Sequence, residues 1–188
     1  IYENKLPLLM DIINAKLGDL PEESLFLDNW INLLKEHNTD RANTLLLEAT
    51  YLKKGLDGVI ELAREWKIKQ PRGYLFWIYI KKSEEDWGEV VAIARETLHE
   101  LLFYKMRGAV AIELIQAGEK LEEKDIILEG KRELFYSIPD ENNLITLMEE
   151  AIIQKKRALA IENILSYFHK NNKEIPVLEI MVLLMKGD

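Results

Sequence analysis

Four stretches of this chain repeat one pattern, and that repeat limits the fold more than any other feature. They are Asn29-Trp-Ile-Asn-Leu-Leu-Lys-Glu36, Gly58-Val-Ile-Glu-Leu-Ala-Arg-Glu65, Glu89-Val-Val-Ala-Ile-Ala-Arg-Glu96 and Asp125-Ile-Ile-Leu-Glu-Gly-Lys-Arg132, offset by 29, 31 and 36 residues. A second series runs at nearly the same pace. Arg41-Ala42, Arg72-Gly73 and Arg107-Gly108 each open a helical pattern, at offsets of 31 and 35. Two independent series with one period mean a repeated unit of two helices, each too small to bury its apolar face alone. Ala63, Ala94 and Gly130 share one repeat position, where a small residue lets helix axes approach closely.

Helical spacing dominates the rest. Leu6, Leu9, Met10, Ile13 and Leu17 make one stripe. Thr39-Asp40 is a cap before a helix that Gly55 ends, and another runs from Asp57 to Ile68. Pro71 opens the next and Asp86 caps the one after it. Further helices start near Arg107, Glu123, Pro139, Arg157 and Pro176. Tyr74 to Ile80 reads alone as a strand, but Pro71 before it and the missing partner strand make it a buried central helix. Asp86-Trp87 resembles the turn and aromatic that open the second helix of a tetratricopeptide repeat. The expected fold is all-α: a tetratricopeptide-like solenoid of antiparallel helix pairs, about eleven helices in one array over residues 1–188, clearest at 24–137.

Composition narrows the function. Cys is 0, which removes disulfides, thiolate metal sites and cysteine nucleophiles, and fits a reducing compartment; a cytoplasmic location is expected. The net charge of -8 opposes nucleic acid and anionic membranes. No apolar run approaches the roughly 18 residues of a spanning helix. The chain opens without Met or a signal layout, so a fragment of a longer protein is expected.

No chemistry assembles from the motifs. His37, His99 and His169 stand alone, and Glu96-Thr-Leu-His99 is one Glu-x-x-His where a di-iron bundle needs two. There is no nucleophile elbow and no Gly-rich phosphate loop. No catalytic, cofactor or metal residue is assigned, no cofactor is expected, and the chain reads as not an enzyme. The basic runs Lys67/Lys69/Arg72, Lys81-Lys82 and Lys155-Lys156-Arg157 sit at helix ends, where the dipole favours cations. Arg41, Arg72 and Arg107 are different, because the dipole disfavours a cation at a helix start. They are the candidate partner-binding residues, a ladder for a carboxylate-bearing peptide, with pairing to acids of neighbouring units as the competing reading.

From Arg41 to about Ala151 the chain resembles a helical region of bacterial SWIM-zinc-finger family proteins. The resembling stretches are Leu56-Asp-Gly-Val-Ile-Glu-Leu-Ala-Arg-Glu65, Gln70-Pro-Arg-Gly-Tyr-Leu-Phe-Trp77, Asp86-Trp-Gly-Glu-Val-Val-Ala-Ile-Ala-Arg-Glu96 and Leu128-Glu-Gly-Lys-Arg-Glu133. In that family the finger is a Cys-x-Cys…Cys-x-His site outside the helices. This sequence has no Cys, so no finger residue carries over. The expected function is a non-catalytic scaffold for protein–protein or intramolecular domain contact. The alternative is a nucleic-acid-associated accessory domain beside a zinc finger elsewhere in the full chain.

Overall fold

The computed structural model describes residues 22–101, 106–171 and 176–186. Among them are nine α-helices, one 3-10 turn at Lys67–Lys69, and no strand. The helices are α1 (Glu23–Lys35), α2 (Asp40–Trp66), α3 (Arg72–Ser83), α4 (Trp87–Glu100), α5 (Arg107–Lys120), α6 (Lys124–Ser137), α7 (Glu141–Ile153), α8 (Arg157–Asn171) and α9 (Pro176–Lys186). The count is nine where about eleven are expected. The stripe over residues 6–17 lies outside the described residues. The helices expected on either side of Gly55 are both present and meet there across a kink, where Gly55 leaves helical geometry at φ 67 and ψ -158; they are numbered together as α2.

Caps set several starts. Thr39 accepts from the Ala42 amide at 3.1 Å, Asp86 from Glu89 at 3.3 Å, and Asp140 from Asn143 at 2.8 Å. Each such cap contributes about 1 kcal/mol. The first helices of successive pairs start at Asp40, Arg72, Arg107, Glu141 and Pro176, 32, 35, 34 and 35 residues apart.

Contacts gather into two compact units that divide between Ile80 and Lys81, inside α3. In the first unit, Leu27 of α1 and Ala49 of α2 are buried, with Trp30, Ile31, Leu45 and Leu52 packed on them. Gly73 lies so close to Ala63 that a Cβ there would sit 2.7 Å from the Ala63 Cα. The expected central helix is buried at Tyr74, Trp77 and Ile78, but Tyr79 is 62% exposed. The helix is therefore not covered all round.

The second unit's core joins α6, α7, α8 and α9 through Phe135, Leu144, Leu147, Met148, Ile161, Ile164, Phe168, Leu178 and Val182. Burying each large side chain here stabilises by roughly 1.5–3 kcal/mol. The small-residue position holds as expected: Ala63 and Ala94 are fully buried, and a Cβ on Gly130 would meet the Ile115 amide nitrogen at 2.9 Å.

Three turns in this unit share one geometry. Glu85, Glu122 and Lys155 are left-handed, with φ of 57, 57 and 58. Each of these amides donates to the carbonyl three residues back: Lys82, Glu119 and Ile152. The next amides, of Asp86, Glu123 and Lys156, donate five residues back to Lys81, Gly118 and Ala151 at 3.0, 2.9 and 2.7 Å. This is the double closure of a Schellman turn, which normally carries glycine at the left-handed position. Here it recurs without one.

Candidate binding surface

The three helix-opening arginines sit in different surroundings. Arg41 is exposed and has no ion pair among the described residues. Arg72 reaches Asp40, with Nη2 to Oδ2 at 2.6 Å, and both side chains are accessible. Arg107 is largely buried; it pairs with Glu133 and also donates to the Leu98 and Leu101 carbonyls. Intramolecular pairing thus engages two of the three.

Pairing at one repeat length is a general feature. Arg72–Asp40 spans 32 residues, Lys82–Glu113 31, Arg95–Glu129 34 and Lys156–Asp125 31. The first-helix pair Lys82–Glu113 closes at 2.6 Å, and Lys82 also reaches Gln116 Oε1 at 2.6 Å. The second-helix pair Arg95–Glu129 is bidentate, at 3.1 and 2.6 Å. Exposed pairs contribute only about 0.2–1 kcal/mol each, so they pin register more than they stabilise. Apolar packing carries the energy.

The basic runs are largely engaged. Lys81 pairs with Glu84, Lys82 with Glu113 and Lys156 with Asp125, while Arg157 donates to the Met185 carbonyl. Trp77 is buried beneath the Arg64 guanidinium, 5.3 Å from the ring, so its face is not open for base stacking. His99 is exposed. Among the described residues, no three His, Cys, Asp or Glu gather in a way that could hold a metal ion.

Between α6 and α8 lies a cavity of about 300 Å³. Leu128, Leu147, Ile164 and Tyr136 give it apolar walls, and Leu159, 56% exposed, marks its mouth. Its polar lining is Asp125, Glu129, Arg132, Lys156 and Asn163. The far end is held by tyrosines. The Tyr136 and Tyr167 rings stack at 4.1 Å, Tyr167 donates to the Tyr136 carbonyl at 2.7 Å, and Tyr136 donates to the Asn163 carbonyl at 3.3 Å. Burial pushes the Tyr136 hydroxyl up to about 12, against a smaller opposing pull from Arg132, so it stays a donor at neutral pH.

No family model, curated protein or solved structure matches this chain. The resemblance to SWIM-zinc-finger family proteins therefore rests on the stretches quoted for it. The cavity's Arg132, Tyr136 and Asn163 are absent from the helix-opening ladder. Only Asn163 carries a signal in the sequence, because Arg95, Glu129 and Asn163 stand 34 residues apart on successive second helices.

Proposed function

We propose that this chain is a non-catalytic, tetratricopeptide-like helical-repeat scaffold that holds a protein partner. The recurrence of one left-handed turn at Glu85, Glu122 and Lys155 carries this reading. Identical turns give successive helix pairs the same geometry. Stacked pairs then bury a common core and leave an extended face for a partner. The 31- to 34-residue ion pairs support the same register.

The test is capture of a partner by the full chain from its source lysate, followed by cross-linking. Arg41→Glu is the first surface variant. Arg107→Glu is unsuitable, because it would place a carboxylate beside Glu133 and unfold the site. Cross-links from a captured protein to the second-helix faces support the scaffold. A chain that enriches no protein contradicts it. The nucleic-acid alternative has less support, since Lys82, Lys156 and Arg157 are engaged internally. Nucleic-acid binding that weakens steeply with salt would favour it.

A further inference from the structure

The α6–α8 cavity is bridged at both ends. At one end Asp125 of α6 holds Lys156, which leads into α8. At the other, Tyr136 donates to the Asn163 carbonyl at 3.3 Å and Tyr167 to the Tyr136 carbonyl at 2.7 Å, with the two rings stacked. Asp125 and Tyr136 stand 11 residues apart on α6, about 16 Å at the rise of an α-helix. An extended chain at about 3.3 Å per residue would meet one bridge or the other within about five residues. The space between the helices therefore suits a compact molecule better than a peptide running through it. Its volume of about 300 Å³ lies at the small end of ligand sites, room for one or two rings and cramped for a nucleotide.

The wall is balanced in charge. Its carboxylates are Asp125 and Glu129, and its cations are Arg132 and Lys156. All four are already paired: Asp125 with Lys156, Glu129 with Arg95, and Arg132 with Glu133. An ionic ligand would lose hydration here and find no unpaired countercharge. Asn163 is the exception among the polar side chains. Its carboxamide lines the cavity and makes no hydrogen bond among the described residues, although its backbone carbonyl accepts from Tyr136. A carboxamide offers a donor and an acceptor side by side, the match for another amide. Leu128, Leu147, Leu159 and Ile164 supply the apolar surface.

We propose that this cavity binds a compact, uncharged organic molecule that joins an apolar ring to one amide group. The ring fills the space between Leu128, Leu147 and Ile164, and entry is past the exposed Leu159. The ligand's amide pairs with the Asn163 carboxamide. The site stands whether or not a protein partner binds elsewhere on the scaffold.

The experiment titrates the full chain, labelled at its Leu and Ile methyls, with three probes that share one ring: benzamide, benzoate and benzylammonium. Benzamide is expected to shift the Leu128, Leu147, Leu159 and Ile164 methyls in a saturable way, with a Kd at least fivefold below that of either ion. Asn163→Leu, close in size, should weaken benzamide at least threefold and leave toluene, which has no amide, unchanged. Leu159→Trp, at the exposed mouth, should weaken both without touching the core. An ion that binds as tightly as benzamide overturns the proposal. So do shifts confined to other methyls, the lack of any saturable shift, or benzamide affinity indifferent to Asn163→Leu.

Discussion

Glu122 occupies a backbone conformation that an L-residue with a Cβ resists, at φ 57, and its side chain is exposed. Left-handed geometry strains a non-glycine residue by roughly 1–2 kcal/mol, while glycine gives back about 0.5–1 in unfolded-state entropy. Glu122→Gly is therefore expected to stabilise by up to about 1 kcal/mol, raising the melting temperature by about 2–4 °C in a calorimetric scan. Glu150 gives a pH prediction. Burial pushes its carboxyl up, but hydrogen bonds from Lys131 at 2.8 Å and Gln154 at 2.9 Å outweigh that, and it titrates below the ordinary 4.5. A depressed carboxyl contributes stability above its unfolded value, and that is lost as pH falls through the folded one. The melting-temperature gap between the natural chain and Glu150→Gln should narrow as pH drops below 4.5. At this scale the sequence was only partly legible. Arg107 reads as a free helix-opening cation because its partner Glu133 lies 26 residues on, across a helix contact that no local rule reveals. Nor does anything local mark Glu85, Glu122 and Lys155 as left-handed, since glycine is the usual signal.

Among the helices, close approach depends on missing side chains. A Cβ on Gly130 would lie 2.6 Å from Ile115 Cγ1 and 2.9 Å from its amide nitrogen, so α5 and α6 would have to separate. Gly130→Ala should destabilise by about 1–3 kcal/mol in urea unfolding. Gly88 is the control. A Cβ there meets nothing nearer than Asp86 Oδ1 at 4.0 Å, and Gly88→Ala should stabilise by about 0.5 kcal/mol. This part of the fold was readable in advance, because Ala63, Ala94 and Gly130 recur at one position of a visible repeat. Helix identity was readable too, from caps at Thr39 and Asp86. Gly55 reads as a helix end, and it does leave helical geometry, at φ 67 and ψ -158, with a second helix following across the kink.

For the whole molecule, the division between Ile80 and Lys81 predicts that unfolding is not a single transition. Tryptophan placement makes this measurable, because Trp30, Trp66 and Trp77 precede the division and Trp87 follows it. In guanidinium, the Trp87→Phe chain should report one midpoint. The chain keeping only Trp87 should report another. The repeat period was legible at this scale. The α6–α8 cavity was not, since it needs residues of α6 and α8 brought together with Leu147 of α7. The central claim is that one left-handed turn recurs through the second unit, at Glu85, Glu122 and Lys155. Amide-to-Hα nuclear Overhauser spectra of labelled protein test it most directly. A strong intraresidue cross-peak, the mark of positive φ, is predicted at Glu85, Glu122 and Lys155 alike. Its absence at any of the three would contradict the account, because the turns would then differ and the proposed scaffold would lose its basis.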